Sequence, residues 1–197
     1  MDDEFIRQQR DNTPIAAEEL DALIPNLASQ QELNEWEREN ILEAEKWCFG
    51  RALKTENSFS EEYVRKLHAK MFDHTWKWAG TYRNTEKTIG VSPFKIREML
   101  KVLLDDAGYW KDKKIFLIDE LAVRFHHRLV SIHPFPNGNG RHARLMADIL
   151  VVREGTKRFT WGKSDLASPG NVRSRYIDAL KQADTGNIQP LLEFARQ

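Results

Sequence analysis

Apolar residues recur at helical spacing along most of the chain, and this periodicity is the strongest constraint on its fold. The clearest example is Val64, Leu67 and Met71, which follow Ser60, a residue type that caps helix N-termini. Residues three or four apart lie on one side of an α-helix. The same spacing recurs in six further segments, which are residues 34–55, 96–104, 121–129, 145–150, 172–183 and 188–194. The pattern predicts a mostly α fold built as a helical bundle.

One segment, "WKWAGTYRNTEKTIGVSP" at residues 76–93, departs from this pattern. Gly, Thr and aromatic residues replace the charged helix formers, and Asn84, Thr85 and Glu86 are typical of a turn between two short strands. We expect a small β-hairpin here, and the alternative is a plain connector.

Charge and composition limit the partners. The chain has 197 residues, and 30 Lys and Arg balance 30 Asp and Glu. No overall field attracts nucleic acid or a membrane surface, so we expect neither as a partner, and any anion site must be local. The single cysteine, Cys48, and a polar start without the apolar segment of a signal peptide predict a cytoplasmic protein. The oligomeric state stays open.

Two regions are expected along the chain. Residues 1–40 form an N-terminal arm, in which Pro14 and Pro25 bracket a short acidic segment. Residues 41–197 form one compact domain, since a chain of this length can bury a sizeable core.

The stretch "HPFPNGNGRHAR" at residues 133–144 lies between two predicted helices. Asn and Gly tolerate left-handed backbone, so Gly138, Asn139 and Gly140 can turn successive N–H groups toward one anion. The stretch also leads directly into a helix, whose N-terminal N–H groups and positive dipole end favour the same anion. A phosphate group is the predicted ligand.

Four further side chains complete this prediction. Arg141 and Arg144 are three residues apart, so both can bind the oxygens of a polyphosphate. His133 can accept a proton near neutral pH and is the candidate general base. Phe135 is apolar among polar neighbours and is expected to anchor the loop in the core. The alternative is a purely structural Asn-Gly turn, which helical flanks disfavour.

These residues resemble the signature of the Fic family, His-x-Phe-x-Asp/Glu-Gly-Asn-Gly-Arg-x-x-Arg. The segment "WKWAGTYR", together with Ile89 and Gly90, resembles the family's Trp-x-Gly-x-Tyr/Phe-Arg segment and β-hairpin flap. The resemblance implies a mostly helical domain over residues 41–197 that transfers AMP from ATP to a Ser, Thr or Tyr hydroxyl of a target protein. The matching signature positions are His133, Phe135, Gly138, Asn139, Gly140, Arg141 and Arg144.

The resemblance also implies roles for individual residues. His133 would be the base, the Gly-Asn-Gly stretch the phosphate cradle and the two arginines the polyphosphate clamps. Lys87, Thr88 and Ile89 would form the flap that pairs with an extended stretch of the target protein. ATP would be the substrate and Mg²⁺ the cofactor.

Asn137 departs from the family pattern, because it occupies the position of the usual acidic Mg²⁺ ligand. An amide oxygen is a neutral and weaker ligand for a hard cation. The activity could therefore be a Doc-like phosphotransfer or the removal of a modification. The chain could also be a weakly active regulatory module that binds nucleotide.

The predicted arm offers a possible inhibitor. Many family members carry a helix with the pattern Ser/Thr-x-x-x-Glu-Gly/Asn, whose Glu pairs with the second signature arginine. The stretch "ASQQELN" resembles it, although Ala28 stands at the Ser/Thr position. The resemblance predicts that Glu32 contacts Arg144, and the alternative is an ordinary solvent-exposed glutamate at the start of a helix.

His126, His127 and His142 raise the alternative of a transition-metal site. Their spacing matches no usual ligand pattern, and neighbouring residues on a helix point in different directions. We therefore expect core or surface histidines.

Overall fold

The computed structural model describes residues 21–50, 52–163 and 170–197, and within these ranges the ordered elements are helices. Two short 3₁₀-helices, Pro93–Lys95 and Trp161–Lys163, accompany the α-helices. The mostly α prediction is confirmed. The α-helices are α1 (Gln30–Phe49), α2 (Ala52–Thr55), α3 (Glu61–Phe72), α4 (Ile96–Asp112), α5 (Ile118–Ile132), α6 (Asn139–Arg153), α7 (Asn171–Asp184) and α8 (Gln189–Arg196).

Helix α6 is the centre of the domain. Its buried residues, which include Ala143, Leu145, Met146 and Ala147, face all sides of the helix. Helix α5 packs along α6 more extensively than any other pair of elements, and α1 packs on α3. The loop between α5 and α6 carries the signature residues, so the most deeply packed pair of helices positions the candidate site.

Helix α1 differs from its prediction in the face that it buries. The buried face is Leu33, Glu37, Asn40, Ala44 and Cys48. The apolar stripe predicted from Trp36, Ile41, Cys48 and Phe49 shares only Cys48 with this face, and Trp36 is 42% exposed. The buried face includes the polar residues Glu37 and Asn40, so the apolar residues alone do not reveal its helical spacing. The predicted division between residues 40 and 41 falls inside this helix, and residues 1–20 of the predicted arm lie outside the described residues.

The predicted β-hairpin does not form in the described structure. Residues 84–90 have irregular backbone, and the isolated bridge described here joins Leu23 to Trp76. The ends of the segment bond to other backbone groups instead: the N–H of Arg83 donates to the Pro134 carbonyl, and that of Val91 donates to the Ile132 carbonyl. We call residues 83–91 the flap segment.

Within the described ranges, no helix combines the length and the apolar character needed to cross a bilayer.

Cys48 is buried and free of disulfide bonds, and burial raises the pKa of its thiol to about 12. This thiol is therefore unreactive near neutral pH.

Three histidines lie fully buried in the core. Nε2 of His126 lies 3.0 Å from the Tyr176 hydroxyl, and Nε2 of His142 donates to the Val64 carbonyl at 2.9 Å. Burial lowers the pKa of each of these two histidines to about 3, and it holds the pKa of His68 well below the ordinary value of 6.5. All three rings are neutral at pH 7.

Acid should therefore destabilise the fold from about pH 6.5 downward. Below that pH the histidines of the unfolded chain become protonated, whereas the buried rings of the native protein stay neutral. Each buried histidine therefore lowers the free energy of unfolding by about 1.4 kcal/mol per pH unit. Urea unfolding between pH 7.5 and 5 measures this slope.

The variant His142→Gln serves as the matched control. Glutamine can still donate to the Val64 carbonyl, but it cannot take up a proton in the unfolded chain. Its stability should fall less steeply with acid than that of the parent protein, by about 1.4 kcal/mol per pH unit. Equal slopes in both proteins would contradict the assignment of His142 as a neutral core residue.

Candidate active site

His133 ends α5 in an unusual backbone conformation. Its φ is 53°, in the left-handed region, and its N–H donates to the Leu129 carbonyl at 3.2 Å. A left-handed residue turns the chain sharply away from the helix axis. The chain then runs back toward α6, and the His133 ring is almost fully buried at the turn.

Three successive carbonyls around His133 are held by the flap segment. The Ile132 carbonyl accepts from the N–H of Val91 at 3.3 Å, and the Pro134 carbonyl accepts from the N–H of Arg83 at 3.0 Å. Between them, the His133 carbonyl accepts from Nε of Arg83 at 2.7 Å. The backbone on both sides of the imidazole is thus fixed.

Arg83 also organises the flap segment itself. Its Nη1 donates to the Thr85 carbonyl at 2.9 Å, and its Nη2 donates to the Val91 carbonyl. Gly90 passes so close that an added Cβ would lie 2.6 Å from Cβ of His133. No local pattern in "WKWAGTYR" assigns Arg83 a role, since its partner His133 lies 50 residues along the chain.

The surroundings of His133 keep its ring neutral. Burial, followed by the positive charges of Arg83 and Lys87, lowers the pKa of His133 to about 4, and a hydrogen bond to the Val130 carbonyl opposes this effect. At pH 7 the ring is unprotonated and can accept a proton.

The second half of the loop is anchored in the hydrophobic core. Phe135 is fully buried, and its N–H and carbonyl bond reciprocally to the Asn139 side chain at 2.9 and 2.8 Å. Gly138 has a φ of 77°, and an added Cβ would lie 2.5 Å from Cζ of Phe72. The side chain of Asn139 therefore braces the loop, while its backbone begins α6.

Arg141 and Arg144 both lie in the first turns of α6 but meet different neighbours. Arg141 donates from Nη1 to Oε2 of Glu37 at 2.6 Å, and its guanidinium lies 4.9 Å from the centre of the Phe72 ring. The guanidinium of Arg144 lies 5.6 Å from the centre of the Tyr176 ring. Burial lowers the pKa of Arg144 below its usual value.

Glu37, rather than Glu32, contacts a signature arginine. Glu37 is 5% exposed, and its Oε1 accepts from Nε1 of Trp76 at 2.7 Å. Glu32 instead accepts from the N–H of Ala28 at 2.7 Å, so the predicted contact with Arg144 is absent from the structure. Ser29 caps α1 and fixes Glu32 in its first turn. The buried position of Glu37 was missed because the predicted stripe lies on another face.

Asn137 provides a poor site for a metal ion. Its Oδ1 accepts from the N–H of Gly138, and its carbonyl lies 3.1 Å from Nε2 of His68. Among the described residues, no group of three or more His, Cys, Asp or Glu side chains could hold a metal ion. A single neutral oxygen does not fit Mg²⁺, which prefers six oxygen ligands at near-octahedral geometry.

The histidines considered for a transition-metal site have separate partners. His127 bonds to Asp184 at 2.8 Å, whereas His126 and His142 bond within the core as described. Each of these three side chains therefore has its own partner residue.

The middle of the flap segment is accessible. Ile89 is 51% exposed and Thr88 is also exposed, while Lys87 is half-buried beside His133. The predicted target-docking residues therefore lie at or near the surface, and the residue that follows them, Gly90, closely approaches Cβ of His133.

Known proteins resemble this chain in sequence. The sequence profile of the Fic/DOC family matches residues 58–151. The protein adenylyltransferase Fic of Nematostella vectensis is 29% identical over 156 residues, which cover 77% of this chain and 35% of the relative. The chain thus spans about a third of that relative's length.

Solved structures share the fold. Fic-1 from C. elegans superposes with a TM-score of 0.69 at 25% identity, over 90% of this chain and 51% of that chain. The BepC protein of Bartonella tribocorum, solved with bound AMPPNP, superposes with a TM-score of 0.68 at 19% identity, over 92% and 97% of the two chains.

Proposed function

This chain belongs to the Fic/DOC family, and we propose that it is a protein adenylyltransferase that transfers AMP from ATP to a Ser, Thr or Tyr hydroxyl of a target protein. The observation that carries the proposal is a buried His133 at the end of α5, from which a short loop leads directly to the N-terminus of α6 and its two signature arginines, Arg141 and Arg144. The residues proposed for catalysis lie within the predicted domain of residues 41–197, although its first boundary falls inside α1. The absence of a second cysteine to pair with Cys48 supports a cytoplasmic protein.

The nucleotide phosphates are proposed to bind at the N-terminus of α6. The N–H groups of Asn139 and Gly140 belong to its first turn, where N–H groups lack intrahelical acceptors. The helix dipole adds positive potential at the same end. Arg141 and Arg144 supply fixed positive charge for the β- and γ-phosphates.

The proposed reaction is an in-line displacement at the α-phosphorus. The target hydroxyl oxygen forms a new bond to that phosphorus, and the bond from phosphorus to the bridging α–β oxygen breaks. The hydroxyl proton passes to the unprotonated ring nitrogen of His133, and pyrophosphate leaves with the released electron pair. A phosphate bound nearby raises the pKa of the ring and so strengthens the base.

The flap segment is the proposed docking site for the target. Its irregular backbone does not form the predicted hairpin, but Lys87 is close enough to act on the charge of His133, and Gly90, which follows Thr88 and Ile89, closely approaches Cβ of His133. An extended peptide that bonds to this exposed backbone would bring a hydroxyl side chain to the base. The rigid attachment of the flap segment through Arg83 supports this role.

The main test uses ATP labelled at the α-phosphate. Incubation of the protein with cell extract should transfer label to a protein or to the enzyme itself, and His133→Ala should reduce the labelling rate by about 100-fold or more, because general-base catalysis is lost. Autoradiography of the separated proteins measures the transfer.

Labelling with γ-labelled ATP distinguishes the other activities. Protein label from the γ-phosphate alone would indicate phosphotransfer. Release of AMP from an adenylylated protein, without any transfer of label from α-labelled ATP, would indicate demodification. Nucleotide binding without label from either phosphate would identify a regulatory module. Each of these results would overturn the proposed adenylyl transfer.

We also propose that Glu37, rather than Glu32, restrains the nucleotide site. Its carboxylate bonds to Nη1 of Arg141 at 2.6 Å from a position that is nearly closed to solvent. A phosphate that binds Arg141 must compete with this carboxylate. Since Glu37 belongs to α1, movement of that helix would change the affinity of the site.

Replacement of Glu37 by Gln should tighten ADP binding by about fivefold to tenfold, the effect of removing one competing charged hydrogen bond. The amide oxygen of Gln can still accept from Nε1 of Trp76, so the local packing is retained. Isothermal titration calorimetry with ADP measures the change.

Glu32→Gln is the matched control. Glu32 bonds to the backbone of Ala28 and has no contact with Arg141 in the structure, so this variant should bind ADP like the parent protein. Weaker binding by the Glu37→Gln variant would show that the carboxylate positions Arg141 for phosphate instead of competing for it.

Mg²⁺ that arrives with the nucleotide would neutralise part of the phosphate charge, and Asn137, at the position of the usual acidic ligand, would offer it only a neutral oxygen. Because an amide oxygen is a weak ligand, we expect Mg²⁺ to affect ADP affinity little in the parent protein. Asn137→Asp should make ADP binding tighter by about tenfold when Mg²⁺ is added, the scale of one charge-assisted contact. Titrations with and without Mg²⁺ measure the difference.

The Asn137→Ser variant separates charge from the presence of an oxygen. It supplies a neutral hydroxyl, so its ADP affinity should respond to Mg²⁺ no more than that of the parent. A strong Mg²⁺ response in the parent protein would contradict the weak-ligand assignment.

A further inference from the structure

His68 forms two directed hydrogen bonds from one fully buried ring. Helix α3 carries this residue, and its side chain lies beneath the loop between α5 and α6. Nδ1 accepts from the N–H of Gly80 at 2.9 Å, and Nε2 lies 3.1 Å from the carbonyl oxygen of Asn137. The ring therefore links the turn before the flap segment to the signature loop.

The partners of the ring determine its tautomer. A backbone N–H can only donate, so Nδ1 must be unprotonated, and a carbonyl can only accept, so Nε2 must carry the hydrogen. A protonated ring would lose the bond from Gly80. Burial favours the neutral form as well and holds the pKa of His68 well below its ordinary value.

The bond to Asn137 fixes the orientation of one peptide group. In a planar trans peptide, the carbonyl and the following N–H point in opposite directions. His68 holds the Asn137 carbonyl toward the core, so the N–H of Gly138 points away from it. That N–H now donates to the side chain of Asn137, which an incoming phosphate oxygen could replace.

We propose that His68 is a positioning residue that orients the peptide between Asn137 and Gly138 so that its N–H faces the phosphates of the bound nucleotide. This inference rests on the proposed nucleotide site. His68 touches no substrate, and it acts through the loop backbone.

Simple packing is the competing explanation. The ring of His68 stacks on Phe135 with 3.7 Å between centroids and lies 4.8 Å from the Phe72 ring. An aromatic replacement would keep most of this contact without the hydrogen bonds. Variants that keep one bond at a time can therefore separate packing from positioning.

Three substitutions make this separation. In His68→Gln, the amide nitrogen takes the place of Nε2 and can donate to Asn137. In His68→Asn, the amide oxygen takes the place of Nδ1 and can accept from Gly80, but the reach to Asn137 is lost. His68→Phe keeps the ring and loses both bonds.

ADP binding by calorimetry is the readout. We expect His68→Gln to stay within about twofold of the parent affinity, and His68→Asn and His68→Phe to bind about fivefold to tenfold more weakly, since one hydrogen bond of ordinary net strength no longer orients the peptide. The exposed His74, changed to Gln and Asn, provides matched controls that should bind as the parent does.

The melting temperature of each variant shows whether a loss of ADP affinity comes from a destabilised fold rather than from the site. If His68→Asn and His68→Gln bind ADP equally well, or if His68→Phe binds like the parent, the positioning role is overturned. For variants that do not fold, the parent protein itself decides: ¹⁵N NMR of the ring should show the neutral tautomer with hydrogen on Nε2. A hydrogen on Nδ1 would overturn the proposal.

Failure of the proposed activity gives a different result. If the parent binds ADP but transfers no label from α-labelled ATP, adenylyl transfer is excluded while the affinities of the His68 variants still decide its role. If the parent binds no ADP, both the nucleotide site and the positioning role are overturned.

Discussion

The structure of the site depends on the three consecutive carbonyls of Ile132, His133 and Pro134. Each accepts a hydrogen bond from the flap segment, and Arg83 supplies two of the three donors. Without these bonds, a left-handed residue at a helix end would leave polar groups buried without partners. The same contacts bring the exposed residues of the flap segment to the buried imidazole, so the base and the proposed docking surface form one rigid unit.

Charge in the site is arranged locally, because the chain has no net charge. The buried histidines are neutral, so the fixed positive charge at the entrance of α6 comes from Arg141 and Arg144. In the structure, Glu37 neutralises Arg141 through a nearly buried ion pair. Removing charged groups from water is costly, so this pair is stable only with further hydrogen bonds, which Trp76 provides. An anion that replaces the carboxylate would offset the cost of burying the Arg141 charge in the same way.

Local patterns allowed the helices and the signature loop to be predicted, but the contacts that complete the site could not be. Ser60 and the stripe after it define α3 because capping and periodicity act within a few residues. The partners of Glu37 are 39 and 104 residues away, so nothing near it in sequence marks it as buried. The predicted hairpin does not form for the same reason: the N–H groups of Arg83 and Val91 donate to the backbone around His133 rather than to each other's strand.

Asn137 shows why the loop can keep its shape while its chemistry changes. The loop requires an oxygen at this side chain to accept from the N–H of Gly138, and it requires the backbone carbonyl to meet His68. An amide satisfies both requirements as well as a carboxylate does. Only the negative charge is lost, which weakens the binding of a cation but leaves the hydrogen bonds of the loop unchanged. The geometry that positions phosphate can therefore persist where the metal ligand has become weak, since hydrogen bonding and charge at this position have separable physical roles.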